Sequence, residues 1–374
     1  MKILYVSNSR IPSRTANSIH VMKMCQAFSS NGHDVVLFVP DIKKNSEDNI
    51  DNIYDFYGVK KNFIIKKLWY PNYIGGAFFY SIAIFIYLMI NNKFNLIYGR
   101  FLYGCYVAVL LKKKVIFEEH GSMTNAKRHV LIIFKQLIKN NYFEKLVVIS
   151  SALKKIYLEK NYLEENKIKV AHDGADEVSD LKSKISLLGD KKVLKVGYVG
   201  HLYKGRGIEI IIECAKKIND MTFHIVGGND NDIKYWKDYL KNLNLNNIYL
   251  YGFVSPKETI KYRNSFDIVL APYANKVSVM KVRGERQLDT SQFMSPIKIF
   301  EYMSHKKSII ASDLSVIREV LNKKNSILVE HNNIELWVNS INKLKDCNLR
   351  NRIASNAFND FKNYTWKKRA SLVL

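Results

Sequence analysis

The chain has 374 residues, 47% of them hydrophobic, and 58 Lys+Arg against 34 Asp+Glu, a formal net charge of +24. That length predicts two domains rather than one, and the apolar content suffices for two cores. The charge suits a polyanionic partner such as phosphates or an anionic membrane, although lysine enrichment along the whole chain supplies part of it. No nucleic-acid motif is present and no like-charge block exceeds Lys112-Lys113-Lys114, which argues against a nucleic-acid partner. Cys25, Cys105, Cys214 and Cys347 are scattered and form neither a metal-type nor a redox pair, as expected of a protein in a reducing cytoplasm.

The start MKILYVSNSR reads as a strand rather than a signal peptide. Lys2–Ser7 is a short buried-type strand, Ser18–Ser30 an amphipathic helix stopped by Asn31-Gly32, and Asp34–Pro40 the second strand. Asn62–Leu68 and Asn95–Arg100 are weaker strands, Val115–Gly121 and Leu146–Ser150 strong ones, and Lys167–Asp176 the last strand and exit of this half. Such alternation predicts a parallel sheet covered by helices on both faces.

Tyr73 to Ile90 interrupts the pattern with 18 uncharged residues, at the lower limit for a membrane span. A span would put strands of one sheet on opposite sides of a bilayer. The segment is therefore expected to be a buried or half-buried helix, or one that lies on a membrane.

The polar stretch Glu177–Lys192 is the candidate linker between residues 1–176 and 193–359. A second alternating series follows: Leu194–Gly200, Phe223–Gly228, Ile248–Val254, Asp267–Tyr273, Ser308–Ser312 and Asn325–Glu330. Residues 360–374, with Phe361, Tyr364, Trp366 and Leu372, suit a last helix that packs against the first domain. The fold class expected is α/β, two Rossmann-like doubly wound domains facing a cleft, with ligands beyond the carboxyl ends of the strands.

In Ser295–Val320, Ser295 suits a helix cap and Pro296 the first helical position. Lys298 then falls in the first turn and Glu301 one turn further, on nearly the same face. A helix N-terminus with a lysine beside it suits phosphate, and a carboxylate one turn deeper suits a pair of sugar hydroxyls. Together they suggest a nucleotide, although a solvated surface pair has the same spacing. After Leu194–Gly200, Gly200, Gly205 and Gly207 allow a tight turn near phosphate, with Arg206 offering a fork of donors. The spacing matches neither the dinucleotide GxGxxG nor a P-loop, and an ordinary connecting loop also fits it. His120 ends the strand VIFEEHG, where a catalytic and a structural role are both open, with Glu118 and Glu119 on opposite sides of the strand. Asn17-Ser18 opens a helix that would cap itself or face phosphate or acceptor.

SPIKIFEYMSHKKSIIASDLSVIREVL resembles the carboxyl-half signature of the GT-B glycosyltransferases of family four, the group one nucleotide-sugar transferases. SIHVMKMCQAFSSNGHDVVLF, VIFEEHG, KVAHDGAD, VGHLYKGRGIEI and YGFVSPKETIKYRNSFDIVLAPY are similar to further blocks of that family, in its order, over nearly the whole chain. The resemblance implies that Arg206 meets the donor diphosphate and that His201 takes the place of a second basic group. It gives Glu301 the ribose hydroxyls, Gly252, Phe253 and Val254 the base, and His120 a place near the transferred sugar. The family's other glutamate, eight residues before Glu301, is Phe293 here, and Glu285 or Asp289 would have to supply a carboxylate from the preceding loop.

The activity so implied is transfer of a hexose from a nucleotide diphosphate sugar to a saccharide or lipid-linked acceptor hydroxyl, with retention, in cell-surface polysaccharide or glycolipid synthesis. Arg206, Lys298 and His120 would be catalytic, with no metal or other cofactor. (Asp230-Asn231-Asp232 has the letters of a metal motif but sits at an expected helix cap.) The protein would be cytoplasmic, peripheral at the inner membrane face. A sugar-nucleotide epimerase of the same architecture, or a non-catalytic nucleotide-sugar-binding partner of a transferase, are the alternatives.

Overall fold

Short apolar runs flanked by polar turns form strands that are buried on both faces, so the strands pair in parallel and helices cover them. The computed structural model describes residues 1–42, 47, 50–71, 75–91, 93–277 and 289–374, in two units. The first unit, Met1–Asp173 and Trp366–Leu374, begins with β1 (Lys2–Val6), α1 (Ala16–Ser30), β2 (Asp34–Asp41), α2 (Ile53–Phe56), β3 (Ile64–Trp69), α3 (Gly76–Ile90) and β4 (Leu96–Gly99). It continues through α4 (Leu102–Leu110), β5 (Val115–Glu119), α5 (Arg128–Ile138), β6 (Phe143–Val148), α6 (Ser151–Glu159) and β7 (Ile168–Val170). Its strands lie in the order β3-β2-β1-β4-β5-β6-β7, all parallel.

The second unit, Gly174–Thr365, runs β8 (Leu194–Val199), α7 (Ile208–Lys217), β9 (Met221–Val226), α8 (Asp230–Asn242), β10 (Ile248–Gly252), α9 (Thr259–Ser265) and β11 (Ile268–Ala271). Then come α10 (Ile297–Ser304), β12 (Ser308–Ser312), α11 (Ser315–Arg318), β13 (Ile327–Val329), α12 (Ile334–Lys343) and α13 (Cys347–Phe361). This parallel sheet has the order β10-β9-β8-β11-β12-β13. Val196, Tyr198, Ile211, Phe223, Ile225, Leu270 and Trp337 are among the residues of its core. The strand order reverses beside β8, between β9 and β11, and that is where such sheets open a crevice at their carboxyl ends.

The structure corrects several boundaries. Residues 360–365 stay with the second unit, and α14 (Trp366–Val373) crosses to the first, where the Asn31 amide donates to the Lys367 carbonyl at 2.9 Å. The expected linker Glu177–Lys192 is packed on the second unit: Asn264 donates to the carbonyls of Asp180 and Ser183, and the Ile185 amide to Ser265. These bonds to α9 use the backbone of the segment, while the Asp180 carboxylate closes a local turn on the Lys182 and Ser183 amides, so polar composition here is not the mark of a free tether. The apolar segment forms α3, with Tyr80, Ile84 and Leu88 buried and the opposite face exposed; Tyr73 and Ile74 lie outside the described residues. No helix among the described residues is long and apolar enough to cross a membrane.

Gly207 fixes the turn from β8 into α7. Its φ is +81°, and a Cβ there would lie 1.8 Å from the Pro272 carbonyl oxygen, an overlap with backbone that no side-chain movement relieves. Gly207→Ala is expected to destabilise the second unit by about 2 kcal/mol or more. Urea denaturation followed by tryptophan fluorescence measures this, since Trp236 and Trp337 both report on that unit.

Candidate functional site

In the second unit the chemistry-bearing side chains gather where β8, β9, β10 and β11 end. Helix α10 starts one residue later than expected, at Ile297, with Pro296 in the cap position (φ −73°, ψ 116°) and no side-chain cap bond. Proline lacks a side-chain acceptor, so the first amides of α10 are left to a ligand or to water.

Lys298 projects from the first turn of α10. Its Nζ lies 3.7 Å from the Tyr198 ring centroid and 5.4 Å from that of Tyr273, and it is buried with no hydrogen-bond partner among the described residues. Gly200, at the end of β8, leaves room for this ammonium: a Cβ there would stand 2.6 Å from Nζ. Arg206 lies over the other aromatic, 5.5 Å from the Tyr273 centroid, and its Nε is likewise buried without a partner. A desolvated cation–π contact is worth about 2 kcal/mol, whereas burying an ammonium costs several. The rings therefore offset only part of the penalty, and the pocket stays short of negative charge. Burial and then the charge of Arg206 push the Lys298 pKa well below the usual lysine range, against a smaller opposing pull from Glu301.

His201 stacks on Tyr203, the rings 4.8 Å apart and nearly parallel. Burial, then the charges of Arg206 and Lys298, lower its pKa to about 4. It thus offers a neutral ring nitrogen to the pocket, where the sequence suggested a second cation. Gly205 has φ +85° and packs against the Lys276 carbonyl. Glu301 is a quarter exposed and its Oε2 lies 3.2 Å from Arg263 Nη1. Gly252, Phe253 and Val254 are half-buried at the end of β10, where the Gly252 carbonyl accepts from the Gly227 amide at 2.7 Å. Ser295 is buried just before α10.

Two acidic candidates can also be placed. Asp289 braces its own loop, accepting from the Val277 and Ser291 amides at 2.9 Å each, and Glu285 lies outside the described residues. Phe293 is buried. Asp232 forms a reciprocal capping box with Asn229 at the start of α8, which accounts for the Asp230-Asn231-Asp232 letters.

In the first unit His120 is partly exposed, with Nε2 2.5 Å from Glu118 Oε1. Glu118 is buried and central: Arg369 of α14 donates to it at 2.8 Å, Tyr98 also bonds it, and His20 Nε2 comes within 2.9 Å, although too poorly angled for a hydrogen bond. His20 Nδ1 lies 2.8 Å from Asp173 Oδ1. Burial alone would raise the Glu118 pKa, but Arg369 and then His20 hold it well below the usual carboxylate range. Burial and the charge of Arg100 lower His120 to about 3, so it is neutral at physiological pH. Glu119 accepts from the His120 and Gly121 amides.

His20, His120 and Asp173 bring ligand-type atoms within 4.8 Å of one another. Each carboxylate at this cluster already has cationic or hydrogen-bonding partners, so it holds together as an ion-pair network. Sequence reasoning missed His20, Asp173 and Arg369, whose only signal was three polar residues inside apolar helices or at a strand exit. The expected helix opening is corrected too: α1 begins at Ala16 with Thr15 as cap. Ser18 is buried and donates back to the Ser13 and Thr15 carbonyls, whereas Asn17 Oδ1 is buried without a partner among the described residues.

Two family models match the chain: Glycosyltransferase Family 4 over residues 18–178 and Glycosyl transferases group 1 over residues 193–346. An uncharacterised glycosyltransferase of Methanocaldococcus jannaschii is 28% identical, over 98% of this chain and 96% of the relative. Among solved structures, sucrose-phosphate synthase of Thermosynechococcus elongatus superposes with a TM-score of 0.74 at 16% identity, over 99% of this chain and 96% of that one. Anabaena HepE, in complex with UDP-glucose, gives 0.71 at 16% identity, over 100% and 98%. The two Rossmann-like units thus constitute a GT-B fold, and the chain is a nucleotide-sugar-dependent glycosyltransferase. It belongs to glycosyltransferase family four, the group 1 transferases.

The lowered pKa of Lys298 gives the site a proton signature. A bound diphosphate raises that pKa, so binding takes up a proton wherever the free amine is partly neutral. Affinity for UDP should fall, by up to about tenfold per pH unit, once pH rises past the Lys298 pKa of the free pocket. Calorimetry of UDP binding in buffers of different ionisation enthalpy measures the uptake, which Lys298→Met should abolish.

Proposed function

We propose that this glycosyltransferase moves a hexosyl group from a nucleotide diphosphate sugar to a hydroxyl of a membrane-presented saccharide or lipid-linked acceptor. The transfer retains anomeric configuration, needs no divalent metal, and serves cell-surface polysaccharide or glycolipid synthesis. The observation that carries the reading is the pair of cationic atoms, Lys298 Nζ and Arg206 Nε, buried without a hydrogen-bond partner among the described residues, beside a start of α10 that has no side-chain cap, with Glu301 one turn on. Inorganic phosphate alone would satisfy the cations, but a carboxylate at that spacing suits the hydroxyls of an attached ribose.

Bond breaking between the anomeric carbon and the β-phosphate oxygen leaves the electron pair, and a negative charge, on that oxygen. Arg206, protonated Lys298 and the amides of α10 stabilise it as it forms, which lowers the barrier as an oxyanion hole does. The acceptor oxygen bonds the anomeric carbon on the same face, and its proton passes to the departing phosphate. His120, held neutral, contacts the transferred sugar. Gly252, Phe253 and Val254 meet the base, Gly200, Gly205, His201 and Ser295 shape the phosphate site, and Asn17 is offered to phosphate or acceptor. HepE is described with UDP-glucose, so that is the first donor to assay.

Arg206→Ala and Lys298→Ala are each expected to lower turnover about a hundredfold or more, the scale of one lost charge-stabilising donor. Glu301→Gln should act mainly on donor KM. Activity should persist in excess EDTA, because fixed cations do the work assigned elsewhere to Mg²⁺. Normal kinetics in all three folded variants, or loss in EDTA restored by Mg²⁺, would defeat this reading.

The membrane part rests on α3. Phe78 (65%), Ile86 (52%), Met89 (61%) and Ile90 (76%) are exposed along one side of the helix, with Phe85 and Ile82 between them. Lys60, Lys61, Lys67 and Lys93 are exposed around it, and between Phe56 and Phe143 the sequence holds no acid other than Glu118 and Glu119. An exposed apolar helix face, flanked in the sequence by exposed lysines, is the chemistry of a helix lying in an anionic interface. Each basic residue near such a surface is worth about 1 kcal/mol. The protein should co-sediment with phosphatidylserine-containing vesicles at low salt and come off at high salt. Ile86→Glu with Met89→Glu should weaken binding at least tenfold. Equal failure to bind anionic and neutral vesicles at low salt would sink the membrane assignment and leave the transferase assignment intact.

A further inference from the structure

Glu301 is a quarter exposed on a helix of the second unit, where a free glutamate would sample several rotamers. It is not free. Arg263, on α9, is only 4% exposed and places Nη1 3.2 Å from Glu301 Oε2. Arg263 is oriented in turn by His305, the residue that ends α10: Arg263 Nε lies 3.4 Å from His305 Nε2. His305 is also only 4% exposed, and its Nδ1 lies 2.7 Å from the Glu301 carbonyl oxygen. A carbonyl only accepts and a guanidinium only donates. One protonation state satisfies both: a neutral imidazole with the proton on Nδ1 and the lone pair of Nε2 facing Arg263. Ser304 completes the group, its hydroxyl donating to the same carbonyl at 2.9 Å.

We infer that Arg263 and His305 are positioning residues, a clamp that fixes the Glu301 carboxylate in the orientation and charge needed to accept the ribose hydroxyls of the donor. The inference rests on the proposed ribose role of Glu301 and deepens it. Carboxylate oxygens carry two acceptor sites each, so Oε2 can hold Arg263 and a hydroxyl together, while Oε1 accepts no hydrogen bond from a described residue. The planar guanidinium is rigid and the imidazole is locked at both nitrogens, so the carboxylate does not have to be ordered when the donor binds. Burial and the charge of Arg263 hold the His305 pKa far below neutrality, to about 2, so the lone pair facing Arg263 persists across the working pH range.

The test compares binding of UDP and 2′,3′-dideoxy-UDP by calorimetry, with the GDP pair run in parallel, in the wild-type chain and in Arg263→Met, His305→Ala and Glu301→Gln. Wild type should prefer the ribonucleotide by about tenfold or more, the value of hydrogen bonds to a charged acceptor. Arg263→Met should reduce that preference to within about twofold of the Glu301→Gln value. With UDP-glucose as donor, it should raise KM while leaving kcat nearly unchanged. Thermal unfolding is read alongside, since a purely structural role lowers the midpoint without changing the hydroxyl preference. Should Arg263→Met not fold, Arg263→Lys, which keeps the charge but not the fork, and His305→Ala should both show a reduced preference. A folded Arg263 or His305 variant with the wild-type preference, while Glu301→Gln has lost it, overturns the clamp alone. A wild-type preference unchanged by Glu301→Gln, or no preference in either nucleotide series, overturns the clamp and the ribose assignment together.

Discussion

Positive charge left uncompensated beside aromatic rings is the constraint on which the second unit depends. Lys298 and Arg206 sit in the same pocket with no hydrogen-bonding partner for Nζ or Nε among the described residues. Burying an unpaired cation costs several kcal/mol even after relaxation. The tyrosine faces return part of that, and the depressed Lys298 pKa relieves more by favouring the neutral amine. The remainder is stored until an anion arrives. The loop between β8 and α7 is built to the same end: glycines with positive φ let its backbone approach Lys298 and the Pro272 carbonyl more closely than any side chain would permit. In the proposed mechanism, a pocket that is unfavourable when empty would concentrate its binding energy on the diphosphate, where the reaction develops charge.

The first unit treats buried charge in the opposite way. Glu118 and Asp173 are surrounded by Arg369, His20 and a tyrosine hydroxyl, so that network is closed on itself. Arg369 belongs to α14, at the other end of the sequence, and also donates to the carbonyls of Ala171 and His172. The last helix thus ties the exit of this unit to the carboxylate beneath His120. A network of paired buried charges of this kind fixes geometry more than it adds stability. Glu118 holds the His120 ring at the strand end, while burial and the charge of Arg100 keep that ring neutral against the pull of the carboxylate.

Several of the exposed apolar side chains are grouped on α3. The buried side of α3 faces its own sheet through Tyr80, Ile84 and Leu88, and Tyr80 also donates to the Ser7 carbonyl at 2.8 Å. The outward side remains bare, and the sequence around it is free of acids apart from the two glutamates of β5. The buried Nζ of Lys298 and Nε of Arg206 in one unit, and the exposed lysines that flank α3 in the sequence of the other, are two local shares of the +24 charge.

Much of this was legible in the amino-acid sequence. Strands buried on both faces must be continuous apolar runs, so β1, β2, β5, β6 and the strands of the second unit showed themselves by composition alone. Gly207 and Lys298 were readable because a strand-to-helix turn and a helix start constrain residue type within a few positions. The sequence was less informative where the deciding contact is distant. Pro296 in place of Ser295 at the cap depends on the backbone angles of the preceding turn, and the packing of residues 177–192 on α9 depends on Asn264 and Ser265, some 80 positions away. His201 carries no sign in the sequence that it will be neutral; that follows from its burial and then from two cations brought beside it by folding. Arg369 meets Glu118 across 251 residues, and Arg263 meets Glu301 across two helices and a strand. Local chemistry therefore determined the strands, the turns and the side chains offered at their ends. Tertiary structure alone decided which of those side chains share a pocket and what charge each carries, because desolvation and Coulomb interactions depend on distance in space and not on separation along the chain.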